Sequence, residues 1–88
     1  MKKKTIAILG STGSIGVSTL EIIKKSGEFK VELLIANKNY VKIIYQIEIF
    51  NPSIIVINNK NVYLKIKKKY FQKKIIILNN IDNILKYI

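Results

Sequence analysis

A short apolar run, Thr5 to Leu9, leads straight into Gly10-x-x-Gly13-x-x-Gly16, and the residues after Gly13 take up helical spacing. Three of the chain's four glycines stand in this one stretch. Glycine serves where backbone turns with positive φ or comes close to another group. A buried strand, a glycine turn and a helix, in that order, aim free backbone N–H groups and the positive end of a helix dipole at one point in space. That point stabilises a phosphate. In dinucleotide-binding folds the first glycine makes the tight turn, the second admits the pyrophosphate, and the third lets the helix pack on the strand. The usual spacing is G-x-G-x-x-G, and the spacing here is a relative with a slightly longer turn. A glycine triplet alone is often a plain loop; the strand before it and the helix after it direct the reading to a nucleotide.

The rest of the chain alternates. Ser14 to Ser26 carries apolar residues at Ile15, Leu20, Ile22 and Ile23, suited to a helix face on a sheet, and Gly27 falls where such a helix closes. Phe29 to Ala36 predicts a strand buried at its C-terminal end. Tyr40 to Phe50 takes helical spacing through Val41, Ile44 and Ile47, and Asn51-Pro52 stops it. Ser53 to Ile57 is a β-branched strand. Asn58 to Asn61 turns the chain and can cap a helix over Val62 to Phe71, with Val62, Ile66 and Tyr70 on one face. Lys74 to Leu78 reads as a fourth strand and Ile81 to Ile88 as the start of another helix. This βαβαβαβα order predicts an α/β, Rossmann-like, doubly wound parallel sheet with right-handed crossovers and helices on both faces. The expected strand order is 3-2-1-4. One edge of such a sheet is bare after the fourth strand, where a two-half nucleotide fold continues.

Composition excludes more than it assigns. Without cysteine or histidine there is no disulfide framework, thiolate or imidazole metal site, or histidine-based triad. Glu21, Glu28, Glu32, Glu48 and Asp82 stand far apart and suggest solvated surface positions rather than a metal cluster. The net charge of +11 raises nucleic acid as a partner. Yet all the basic residues are lysines, and arginine, the bidentate reader of phosphate and guanine, is absent. The lysines are scattered apart from Lys2–Lys4 and Lys67–Lys69, and abundant lysine, isoleucine and asparagine fit an A/T-rich coding bias. Neither a nucleic acid nor a membrane is expected as a partner. Lys2–Lys4 precedes only four apolar residues before Gly10, too few for a signal peptide or a membrane span. A cytoplasmic location is expected.

The end of the second strand bears on which nicotinamide cofactor fits. NAD-binding folds usually place Asp or Glu there to accept from the ribose 2′-hydroxyl, and an acid would repel the 2′-phosphate of NADP. Here the strand ends Ala36-Asn37-Lys38-Asn39, with no acid, one lysine and two amides able to donate. Standing alone, Lys38 would be a solvated turn residue. Behind the glycine turn it favours NADP over NAD.

The run Ile8-Leu-Gly-Ser-Thr-Gly-Ser-Ile-Gly16, followed by Ser18-Thr19-Leu20, closely resembles the start of the 1-deoxy-D-xylulose-5-phosphate reductoisomerases. The resemblance continues through Ala36-Asn37-Lys38-Asn39 and Phe50-Asn51-Pro52. It implies an N-terminal NADPH-binding domain over residues 1–88. The implied cofactor-binding residues are Gly10, Ser11, Thr12, Gly13, Ser14, Ile15 and Gly16 at the pyrophosphate turn, and Asn37, Lys38 and Asn39 at the adenosine end; Ser11 and Ser18 support. Family members often have glycine where this chain has Asn37, and asparagine tolerates left-handed backbone better than most residues. The family rearranges 1-deoxy-D-xylulose 5-phosphate and reduces it with NADPH to 2-C-methyl-D-erythritol 4-phosphate, in the non-mevalonate route to isoprenoids. A divalent ion, magnesium or manganese, assists. The resemblance implies that the carboxylate ligands of that ion, the substrate-phosphate site and the mobile lid lie beyond Ile88. A chain holding this segment alone is expected to bind cofactor without catalysing, and the full-length family to form homodimers. Two alternatives are a free-standing nucleotide-binding or regulatory module and a decayed gene fragment.

Overall fold

The computed structural model describes residues 3–87. Lys2 of the first lysine run and Ile88 at the end of the last expected helix lie outside them. Four parallel strands, β1 (Lys4–Leu9), β2 (Phe29–Ala36), β3 (Ile54–Ile57) and β4 (Ile76–Leu78), alternate with three helices, α1 (Ser14–Ser26), α2 (Tyr40–Phe50) and α3 (Lys60–Lys69). The last segment, Ile81–Tyr87, is a 3-10 helix rather than the start of an α-helix, and Asn80 Oδ1 accepts from the Asp82 N–H at 2.9 Å where it begins.

Element boundaries follow from local chemistry. Gly27 closes α1 in the left-handed conformation, at φ 68°, and its N–H donates to Ile23 O. The side chain of Asn39 accepts from the Lys42 N–H at 3.0 Å and starts α2; Asn59 does the same for the Val62 N–H and α3. Asn51 ends α2 at φ 47°, and Pro52 prevents its continuation.

The strand order is β1-β2-β3-β4, not the expected 3-2-1-4. β4 pairs with β3, Ile54 opposite Ile76 and Val56 opposite Leu78. The reason lies in the strands' faces. β3 is apolar at every position, and three of its four residues are buried, as an interior strand requires. β1 exposes four of its six residues and tolerates the edge. An order of 3-2-1-4 would have put the more apolar strand outside. Each crossover therefore moves one strand in the same direction. Right-handed crossovers then carry all three helices to one face, not to both.

That face holds the main core. Leu20 and Ile23 of α1, Ile43 and Ile47 of α2, Ile66 of α3 and Tyr70 at the C-terminal cap of α3 pack with Ile8, Val31, Leu34, Ile55, Ile57 and Ile77. The buried faces are rotated from those predicted in two helices. In α1 the inward set is Gly16, Leu20 and Ile23, leaving Ile15 82% exposed; in α2 it is Ile43, Gln46 and Ile47, with Val41 outward. Val62, Ile66 and the C-cap Tyr70 share one face as expected, although α3 starts at Lys60 and ends at Lys69, and Val62 is only partly buried. The second sheet face buries Ile35 and Val56 beneath Ile84 of the 3-10 helix. A register shift opposite Ile6 and Ala7 lets β2 place Val31 and Leu34, three residues apart, on the helix face, with Glu32 as the extra residue.

Tyr70 is the polar tip of this core. Its hydroxyl donates to Glu48 Oε2 at 2.9 Å, joining the ends of α2 and α3. Burial, and then the neighbouring Glu48 carboxylate, push its pKa from 10.0 up to about 12. The unfolded chain releases this proton first, so the contribution to stability is complete below about pH 10 and is lost as pH rises towards 12. Urea unfolding of Tyr70→Phe at successive pH values should therefore show a shallower loss of stability over that interval than the unaltered chain.

Candidate functional site

The turn between β1 and α1 is built by glycines in distinct roles. Gly10 has φ 68°, which reverses the chain at the end of β1. Gly16 is buried in the first turn of α1, and a Cβ there would overlap Gly10 O and lie 2.8 Å from Ser11 Cα, both backbone atoms that cannot move aside. Its missing side chain lets the helix rest on the turn. Gly13 is different. It is exposed, precedes α1 in an extended conformation, and a Cβ on it would meet Gly10 O at an ordinary 3.4 Å. Packing does not demand glycine there.

The N-terminus of α1 faces outward with its charge unopposed. No side chain caps it, no acid stands in its first turn, and Lys24 and Lys25 sit at its negative end. Helices α2 and α3 are both capped by asparagine. Thr12, Gly13, Ser14 and Ile15, the residues expected at the pyrophosphate, come together around this end and are exposed or half-buried. Ser11 is not: it is fully buried, its hydroxyl without a partner and its N–H donating to Ile35 O at 2.9 Å. Ser11 supports the turn from beneath. Ser18 and Thr19 follow within α1, where the Thr19 hydroxyl donates back to Ile15 O at 2.8 Å.

The second predicted cluster lies beside the first. Both follow the carboxyl ends of adjacent parallel strands, where open α/β sheets bind ligands. The Asn37 N–H reaches Thr12 Oγ1 at 3.5 Å, a long hydrogen bond that ties the two loops, and Asn37 O accepts from the Asn59 N–H at 3.4 Å. Asn37, Lys38 and Asn39 are all exposed. Among the described residues Asn51 is the one non-glycine with positive φ, so Asn37 does not occupy the left-handed conformation anticipated for a glycine replacement. Asn39 spends its Oδ1 on capping α2.

One residue of the site was missed. Gln46, 3% exposed on the inward face of α2, donates from Nε2 to Ser11 O at 2.8 Å. The available signal was a lone amide at the apolar spacing of Ile43, Ile47 and Phe50. Among the described residues no group of three or more carboxylates converges.

The two inner glycines should separate on mutation. Gly16→Ala should lower unfolding free energy by about 1–3 kcal/mol, the usual cost of overpacking. Gly13→Ala should change it far less, as read by urea titration of both variants.

The family model for 1-deoxy-D-xylulose 5-phosphate reductoisomerase matches residues 6–87. The reductoisomerase of Pelagibacter ubique is 61% identical over 49 residues, 54% of this chain and 13% of that protein. That of Clostridium novyi is 58% identical over 50 residues, 56% of this chain and 13% of that protein. A solved structure of the Zymomonas mobilis reductoisomerase in complex with NADPH is similar at a TM-score of 0.82 and 27% identity, over 97% of this chain and 23% of that one. A reductoisomerase structure in complex with NADPH, fosmidomycin and magnesium gives 0.81 and 28%, over 94% and 21%. The chain thus spans only 13% of the length of these curated relatives. With the glycine turn, the parallel sheet and the match over nearly its whole length, this chain belongs to the 1-deoxy-D-xylulose 5-phosphate reductoisomerase family.

Proposed function

We propose that this chain forms the NADPH-binding portion of a 1-deoxy-D-xylulose 5-phosphate reductoisomerase. The observation that carries the reading is the pairing of two loops. An uncapped, acid-free helix N-terminus behind Gly10 and Gly13 is tied through Thr12 and Asn37 to a strand end bearing Lys38 and no carboxylate. The pyrophosphate would lie on the N–H groups of Thr12, Ser14 and Ile15, over Gly13, whose own N–H bonds to Gly10 O. The 2′-phosphate would meet the Lys38 ammonium and the amides of Asn37 and Asn39. A carboxylate in Lys38's place would repel it.

Bound there, NADPH supplies a hydride for reduction. This chain's own residues contribute binding and orientation, and no described group of carboxylates is arranged to hold the metal that accompanies magnesium-bound relatives. The substrate 1-deoxy-D-xylulose 5-phosphate, the metal ligands and a homodimer contact belong to the complete enzyme in this proposal. Such a protein would act in the cytoplasm; among the described residues no helix is long and apolar enough to cross a membrane.

Thermal melts of the chain alone and with equal millimolar NADPH or NADH test the reading. A ligand at about 100 times its dissociation constant adds roughly 2.7 kcal/mol to the folded state. For so small a domain that moves the midpoint by roughly ten degrees or more. The expected result is a large shift with NADPH, a small one with NADH, and loss of the difference in Lys38→Ala. A cooperative melt moved by neither cofactor would overturn the proposal.

A further inference from the structure

We infer that Gln46 is a positioning residue for the dinucleotide turn, its carboxamide fixing which way the Ser11–Thr12 peptide faces; the link to cofactor affinity rests on the NADPH reading above. Gln46 lies between Ile43 and Ile47 on the buried face of α2. As core filler it is a poor choice. Its Oε1 has no hydrogen-bond partner, and an apolar side chain of similar volume would avoid that desolvation cost. What the amide makes is one bond, Nε2 to Ser11 O at 2.8 Å, across 35 residues of sequence.

That carbonyl belongs to the peptide plane that also carries the Thr12 N–H. In a trans peptide the C=O and N–H point in opposite directions, and no described peptide bond is cis. Holding Ser11 O inward against α2 therefore turns the Thr12 N–H outward, to the accessible side of the turn. Among the described residues the Thr12 N–H has no acceptor, while the neighbouring Ser11 N–H and Gly13 N–H are both used, on Ile35 O and Gly10 O. Ser11 is thus clamped by β2 through its N–H and by α2 through its carbonyl. Were the peptide to flip, a carbonyl oxygen would face an incoming phosphate, where repulsion replaces a hydrogen bond. Gln46 touches no ligand; it acts through Ser11.

Two measurements test this. In the unaltered chain, NMR hydrogen exchange compares the side-chain amide of Gln46 with that of exposed Gln72, the other glutamine. Exchange at Gln46 should be at least about tenfold slower, and equal rates would overturn the inference without any variant. In Gln46→Met, which fills the site without a donor, the Thr12 amide resonance should shift and the NADPH dissociation constant rise about tenfold, measured at a temperature where both proteins are fully folded. A merely structural glutamine would lower the melting midpoint and leave that constant and the Thr12 amide unchanged, which would also overturn it. If the unaltered chain binds no NADPH, the cofactor reading fails by itself. The exchange rates and the Thr12 shift still decide the role of Gln46.

Discussion

Contact between helix α1 and the turn that precedes it is the constraint on which the rest depends. It exists because Gly16 has no side chain to hold Gly10 O and Ser11 Cα away. With the helix seated on the turn, its N-terminus opens directly over the end of β1, and the positive φ of Gly10 brings the chain there without strain. A β-carbon at Gly16 would have to push α1 off the sheet, displacing Leu20 and Ile23 from the core behind it. One missing side chain thereby couples the packing of the hydrophobic face to the aim of the helix dipole.

The site is also tied to distant parts of the chain by polar contacts in an otherwise aliphatic interior. Ser11 meets β2 through its N–H and α2 through its carbonyl, and Thr12 meets Asn37 at the end of β2. The Ser11 and Gln46 contacts are costly to bury and incompletely satisfied, since Ser11 Oγ and Gln46 Oε1 lack partners. Natural cores keep few such groups. Their concentration beneath one loop is what a rigid, preorganised turn requires. Electrostatics at the opening are set largely by omission: no acid in the first turn of α1 and none at the end of β2.

Much of this was legible residue by residue. The bounds of α1, β2 and α2 follow from apolar spacing and from Gly27, Asn39 and Asn51, because helix starts and stops are made by local hydrogen bonds and backbone conformation. The glycine turn and the Asn37–Asn39 loop were legible for the same reason. Strand order was not, although the signal was present in the uninterrupted apolar run of β3 against the mixed β1. Nor was the exposure of Ile15 and Val41. Helical spacing offers several overlapping apolar faces, and only the sheet selects one.

Sequence alone therefore determined the α/β class, the bounds of α1, β2 and α2, the glycine turn, the acid-free second loop and the family. Each of these rests on residues that interact within a few positions of one another. Tertiary structure decided the order β1-β2-β3-β4, the gathering of three helices on one face, the burial of Ser11 and the reach of Gln46 beneath the turn. Those features join residues far apart in the chain, and which of them meet is settled by the competition to bury β3 and the inward helix faces together.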